Sequence, residues 1–201
     1  MKINLLLPSY NSEKTINRCI DSIFNQTYQD YNIIFLNDCS TDNTMKLVKE
    51  YNDSRIKIYE NNTNKGRGYS RNKLLDLSDT EISCWIDSDD WMHPEKLEKQ
   101  ITYMKNSNCD FLSTEMFDTR NGITVGNGCN LSHMINDLTL ENLNVSNCIN
   151  HPTVMFRTEI AKQLKFKDSM TFNEDWDFYI RLYENGKKVE CLPEKLYYYN
   201  L

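Results

Sequence analysis

Four short apolar runs, residues 3–7, 33–36, 56–59 and 82–86, recur through the first half of the chain with helical patterns between them. A nearly unbroken apolar run of four or five residues is what a strand covered on both faces requires. Between the first two runs, Ile16, Cys19, Ile20, Ile23 and Phe24 fall at i, i+3, i+4, i+7 and i+8, one face of a helix, with Asn11 or Ser12 placed to cap it. A second helix is predicted with Met45, Val48 and Leu47 inward, a third around residues 70–77, and a fourth from Pro94 with Leu97, Ile101 and Met104 on one face. Strand and helix alternating through short links predict a mostly parallel, doubly wound α/β sheet. Ligands of such sheets bind beyond the carboxyl ends of the strands. The polar turns at residues 9–11, 37–42 and 87–90 each follow a strand directly, so all three belong on one edge, facing one crevice.

The second half has a weaker rhythm. Residues 111–117 and 123–125, separated by Asn121-Gly122, predict a hairpin with a glycine turn. Residues 129–149 carry no clear pattern. A short strand is predicted at 154–156 and a short helix at 158–164. Asn173-Glu174-Asp175 resembles a helix start, with acids favoured by the dipole, and the helix runs to about residue 184 with Trp176, Ile180 and Tyr183 on one side. Two further short strands are expected at 189–192 and 196–199. No linker or repeat interrupts the 201 residues, which predicts one domain, 1–201, with a front half (1–110) and a back half (111–201).

Composition limits the function. A net charge of -6 with a pI near 5.1 argues against a nucleic-acid partner, which asks for a basic face. No stretch reaches the ~18 apolar residues of a membrane span. The apolar part of the first eight residues is too short for a signal peptide and runs straight into a strand pattern. Seven scattered cysteines, never spaced CxxC, suit reduced thiols in the cytoplasm and not a disulfide frame or zinc site. The Asn-x-Ser/Thr triplets at Asn25 and Asn61 are expected to be unglycosylated.

Trp85-Ile86-Asp87-Ser88-Asp89-Asp90-Trp91 is the chemically loudest stretch. If extended geometry persists past the strand, Asp87 and Asp89 share a face. Carboxylates so placed repel unless a cation lies between them, and Mg²⁺ or Mn²⁺ held by one or two carboxylates plus phosphate oxygens does that. An acidic loop capping the next helix, with Asp90 or His93 ahead of Pro94, is the alternative reading.

Five motifs occur in order: Pro8-Ser9-Tyr10-Asn11, Asn37-Asp38-Cys39-Ser40-Thr41-Asp42-Asn43-Thr44, Asn64-Lys65-Gly66 with Arg71-Asn72, Asp87-Ser88-Asp89-Asp90, and Asn173-Glu174-Asp175-Trp176. Together they resemble family 2 glycosyltransferases over nearly the whole chain. The resemblance implies a Rossmann-like GT-A fold with a small antiparallel element in the back half. It implies a nucleotide-binding front, an acceptor-binding back, and transfer of a sugar from a UDP-sugar to a glycan or other acceptor hydroxyl, with inversion and with Mn²⁺ or Mg²⁺. By the family pattern Pro8, Ser9, Tyr10 and Asn11 line the base pocket. Asp38 accepts from the base, Arg71 flanks the nucleotide, and Asp87 and Ser88 begin the DxD motif beside ribose or metal. Asp89 is the metal ligand, and Asp175 is the catalytic base with Glu174 beside it. His151, in a segment resembling one near the family's site, is a further candidate metal ligand; a purely structural histidine remains open. Tyr10 has a packing alternative and Trp176 a choice between core and acceptor sugar. Cys39 stands where the family often has glycine, which suggests a turn that needs no positive φ. Relatives often carry a longer acceptor-binding tail, so the chain is expected to be a compact enzyme or one domain of a longer polypeptide. A catalytically silent sugar-nucleotide binding module is the runner-up. A nucleotidyltransferase is disfavoured, because residues 8–11 do not form a Gly-rich, Arg/Lys-bearing loop.

Overall fold

The computed structural model of the chain describes residues 1–120, 122–126, 139–145 and 147–201. Its front half runs β1 (Ile3–Ser9), α1 (Ile16–Phe24), β2 (Tyr31–Asn37), α2 (Thr44–Glu50), β3 (Ile56–Glu60), α3 (Arg67–Leu77), β4 (Ile82–Trp85), β5 (Trp91–Met92) and α4 (Lys96–Asn106). The back half adds β6 (Phe111–Arg120), β7 (Ile123–Gly126), α5 (Leu140–Val145), a 3₁₀ turn (His151–Thr153), β8 (Met155–Arg157), α6 (Thr158–Leu164), α7 (Glu174–Glu184) and β9 (Val189–Asn200).

One sheet carries these strands in the order β3-β2-β1-β4-β8-β6-β9-β5, with β7 hanging on β6. The strands from β3 to β4 are parallel, β8 is antiparallel to β4 and β6, and β9 runs parallel to β6. This is the expected mostly parallel α/β sheet with antiparallel strands in the back half.

Successive side chains of a strand point to opposite faces, and the apolar runs feed two cores accordingly. Leu5, Leu7, Ile33 and Phe35 pack with Ile16, Ile20 and Ile23 of α1 and Leu97 and Ile101 of α4. Leu6, Ile34 and Leu36 pack on the other face with Leu74 and Leu75 of α3 and Phe178 and Leu182 of α7. A strand serving two cores cannot alternate with polar residues, which is why these runs are almost unbroken. Among the described residues no helix is long and apolar enough to cross a membrane.

Several expectations need correction. The first helix starts at Ile16, and the Ser12 carbonyl, not its hydroxyl, receives the N–H groups of Thr15 and Ile16. The strands expected at 189–192 and 196–199 are one strand. Against β6 its register jumps from Thr114↔Leu192 to Glu115↔Lys195, so Pro193 and Glu194 bulge out. Proline has no N–H to give a ladder, and a bulge accommodates it. The deeply buried side of α7 is Phe178, Tyr179 and Leu182, whereas Trp176, Ile180 and Tyr183 pack at the edge of that core. The helix is covered from two directions, and Trp176 Nε1 donates to Leu143 O at 2.6 Å on the α5 side. The hairpin is present, with Arg120 opposite Ile123 and Gly122 at φ 81°; Asn121 and Cys129 lie outside the described residues.

Cys39 is the clearest departure. Its φ is 62°, so the turn after β2 does need the left-handed region. The chain reverses there while Ser40 N–H reaches back to Asn37 Oδ1 at 3.2 Å and Asn11 N–H reaches Ser40 Oγ at 2.9 Å. An L residue with a Cβ is strained there by about 1–2 kcal/mol. Glycine relieves that strain but costs roughly 0.5–1 kcal/mol in chain freedom. Cys39→Gly is therefore expected to match the wild type in stability or exceed it by up to about 1 kcal/mol, and the β-branched Cys39→Val to fall below it by about 1–2 kcal/mol. Urea midpoints check this; equal midpoints for the two variants would show that residue 39 is not held at positive φ.

Candidate active site

The carboxyl ends of β1, β2 and β4 open into one cleft of about 940 Å³. Pro8, Ser9, Tyr10 and Asn11, then Asp38, then Asp87, Ser88 and Asp89 line it, at the place where the strand order reverses between β1 and β4. The start of α3 adds Arg67, Gly68, Ser70 and Arg71, and the back half adds Asp168, Met170, Thr171 and Tyr199.

One end of the cleft is built around Asp38. Its carboxylate is buried, and Oδ1 accepts from Asn61 Nδ2 at 2.7 Å and from Lys65 N–H at 2.9 Å, while Oδ2 accepts from Gly66 N–H at 2.9 Å. A carboxylate offers about four acceptor positions, so one position on Oδ2 remains for a ligand N–H. Asn37 bridges strands, donating to Glu60 Oε1 at 2.8 Å. Tyr10 is not packed at the strand end: its side chain is 49% exposed on the cleft wall. Asn11, at φ 52°, accepts from Thr41 N–H at 2.8 Å and so ties the first turn to the second.

The acidic turn occupies the other end. Ser88 and Ser12 share a hydrogen bond of 2.6 Å between their hydroxyls. Asp87 is half-buried, Asp89 is exposed and Asp90 is fully buried. Withdrawal from water pushes the Asp87 acid up to about 6; Arg71 and Arg67 pull it down, and the charges of Asp89 and Asp175 push it up. Burial, reinforced by Asp87 and Asp89, drives Asp90 up to about 9. The last strand holds both residues: Asp87 N–H donates to Tyr197 Oη at 3.2 Å, and Asn200 N–H donates to Asp90 Oδ1 at 2.8 Å. These carboxylates crowd one another, and a cation would relieve them. Among the described residues no three His, Cys, Asp or Glu side chains form a complete metal cage. A Mg²⁺- or Mn²⁺-type ion at Asp87 and Asp89 would have to draw its remaining ligands from phosphate and water.

The two halves meet at Arg71. Its Nη1 donates to Glu174 Oε1 at 2.7 Å, and both side chains are buried. The neighbouring Asn72 clasps the segment after α6, donating to Phe166 O at 2.9 Å and accepting from Phe166 N–H at 2.8 Å. Gly68 permits this approach, since a Cβ there would lie 3.1 Å from Lys167 O. Asp175 accepts from Asn147 Nδ2 at 3.2 Å and lies close enough to Asp87 to raise that acid.

Glu174, Asp175 and His151 are not among the residues that wall the cleft. His151 is buried, with Nδ1 2.9 Å from Tyr179 Oη and its ring against Trp85 and Phe166. Burial and the Arg71 charge hold its pKa well below the usual histidine range. Sequence reasoning missed Ser12, Asn61, Arg67, Tyr197 and Tyr199. For three of them the partners lie 23 to 110 residues away, Asn61 with Asp38, Ser12 with Ser88 and Tyr197 with Asp87, and local pattern carries no trace of such pairings. The alternation in Tyr197-Tyr198-Tyr199 was the one available hint, because residues 197 and 199 share a face.

Comparison with known proteins bears on this geometry. The model of the glycosyl transferase family 2 matches residues 5–164. An uncharacterized glycosyltransferase of Methanocaldococcus jannaschii is 32% identical over 209 residues, covering 99% of this chain and 70% of its own length. The poly(ribitol-phosphate) beta-N-acetylglucosaminyltransferase TarS of Staphylococcus aureus is 29% identical over 205 residues, covering 99% of this chain and 35% of TarS. A crystal structure of S. aureus TarS 1-349 in complex with UDP-GlcNAc superposes with a TM-score of 0.83 at 27% identity, over 100% of this chain and 59% of that one. The chain therefore spans about a third of full-length TarS and somewhat over two thirds of the archaeal relative. The shared sheet is that of the GT-A glycosyltransferases, and on the extent of these matches the chain belongs to glycosyl transferase family 2.

Proposed function

We propose that this chain is the donor-binding and catalytic domain of an inverting glycosyltransferase. It takes a UDP-sugar together with Mn²⁺ or Mg²⁺ and passes the sugar to an acceptor hydroxyl in glycan or polysaccharide synthesis. The observation that carries this reading is the gathering of Asp38, the Asp87–Asp89 pair and Arg71 around one cleft at the strand ends, with Asp175 acting on Asp87 from the other half. The UDP-GlcNAc in the solved TarS complex supports the donor class.

Each group then has a task. The spare acceptor position of Asp38 suits the N3–H of uracil, and the exposed Tyr10 ring suits the base face. Arg71 and Arg67 place positive charge beside a diphosphate. Asp87 and Asp89 hold the cation, which when bound supplies Lewis-acid stabilisation of the leaving diphosphate. Asp175 accepts the proton of the acceptor hydroxyl as that oxygen attacks the sugar carbon opposite the leaving group. Glu174 is committed to Arg71, which leaves Asp175 as the base. Asp175 stands outside the cleft wall, which suits a base that meets the acceptor and not the donor.

The donor is tested by thermal shift with a panel of nucleotide-sugars, with and without Mn²⁺. A UDP-sugar should stabilise most, and more with metal; equal shifts from GDP-sugars would sink the uracil assignment. Asp89→Asn should remove the metal-dependent part of that shift and leave the fold intact, since Asp89 is exposed.

For the chemistry, Asp175→Asn should keep UDP-sugar affinity and lose ~10²–10⁴ in turnover, as general-base loss does. Glu174→Gln should leave the buried Arg71 charge uncompensated, lowering stability by about 3–5 kcal/mol, while costing less turnover. Turnover and donor affinity of both variants decide the matter: an inactive Glu174→Gln beside an active Asp175→Asn would make Glu174 the base.

A further inference from the structure

Arg18 stands on α1, whose other face serves the core, and its side chain leaves the helix for the acidic turn. Nη2 donates to the main-chain carbonyl of Asp89 at 3.0 Å. The guanidinium lies 3.7 Å from the centre of the Trp91 ring, well inside the ~6 Å at which a cation over an aromatic face begins to count. A Cβ on Gly122 would come within 3.1 Å of Nη1, so the Gly122 backbone lies close against the same group.

The ring under Arg18 is itself braced. Tyr198 stacks on Trp91 at 5.2 Å and 8°, Phe117 stacks on Tyr198 at 5.2 Å and 18°, and Lys195 Nζ lies 5.4 Å from the Phe117 ring. A column of cation, three rings and cation thus runs from the Asp89 main chain across β5, β9 and β6. Arg18 holds its place at a cost, because its Nε is buried with no hydrogen-bond partner.

We propose that Arg18 is a positioning residue for the cation end of the cleft: held by Trp91 and close to Gly122, it fixes the main chain of Asp89 and so aims that carboxylate. The inference rests on the reading that Asp87 and Asp89 hold a divalent cation. Asp89 is exposed, so its neighbours do not pack its side chain into one orientation. A planar fork stacks on the ring with its face and donates to the carbonyl with its edge, whereas a lysine ammonium must serve both with one nitrogen.

The sign of the effect separates this role from simple charge. Arg18 lies near enough to Asp89 and Asp90 for their charges to act on it. As a bystander cation it would oppose metal binding, and its removal would tighten Mn²⁺. As a positioning residue its removal loosens Mn²⁺. Free Mn²⁺ is measured by electron paramagnetic resonance with the full chain and saturating UDP, for the wild type, Arg18→Met, Arg18→Lys, Trp91→Leu and Asp89→Asn. Arg18→Met and Trp91→Leu should each weaken Mn²⁺ by ~10-fold, the lower end for losing a supporting contact. Arg18→Lys, the mildest change to the fold, should fail to restore it, and UDP binding without metal should stay at the wild-type level. Mn²⁺ bound by Arg18→Met as tightly as by the wild type, or more tightly, overturns the proposal, and so does full restoration by lysine. Wild-type Mn²⁺ affinity in Asp89→Asn overturns the underlying metal reading instead.

Discussion

The buried ion pair between Arg71 and Glu174 is the contact on which the rest of the site depends. Its partners are 103 residues apart, one in each half of the chain. Removing one partner of such a pair typically costs about 3–5 kcal/mol, because the other charge is left buried without compensation. The pair does more than join. The Arg71 charge holds down the Asp87 acid and the His151 imidazole and offsets the burial of the Tyr179 hydroxyl. One guanidinium therefore sets the electrical environment of the turn where phosphate is proposed to bind. The adjacent Asn72 carries the mechanical share, clasping the segment that leads to Asp168 and Thr171.

Much of the fold was legible because its cause is local. An apolar run covered on two faces must be continuous, and residues 3–7 and 33–36 declare themselves as β1 and β2 for that reason. A helix with one buried face must repeat at helical spacing, and Ile16, Cys19, Ile20 and Ile23 do. What was misread depended on distant partners or on the backbone. Pro193 looked like the gap between two strands, whereas pairing with β6 carries one strand past it on a bulge. Cys39 suggested a turn that needs no positive φ, whereas its φ is 62°, beside a Ser40 that is tied to Asn37 and Asn11.

The cleft shows the same division. The residue types at 38, 87 and 89 were readable, and the structure places all three on its wall. Their surroundings were not. Nothing near Asp38 in sequence announces that Asn61, Lys65 and Gly66 fill most of its acceptor positions. The Glu174-Asp175 pair read as one acidic cluster, yet its members face different partners, Arg71 and Asn147. Separating two adjacent acids takes three dimensions, because their helix dipole and their composition are the same.

The hold that β9 keeps on the acidic turn has a consequence for how the protein is made. Asp90 and the Asn200 N–H that donates to its carboxylate are 110 residues apart. Contacts of such long span form late, because a long loop must close before they repay its entropy. Chains grow at ~5–20 residues per second, so on the order of 5–20 s separates the synthesis of Asp90 from that of Asn200. Until β9 is made, the Asp90 carboxylate lacks that partner. Arrival of β9 buries Asp90 and fixes Asp87, through the Asn200 N–H and the Tyr197 hydroxyl. The end of the cleft that would grip a diphosphate is therefore complete only when β9 has been made.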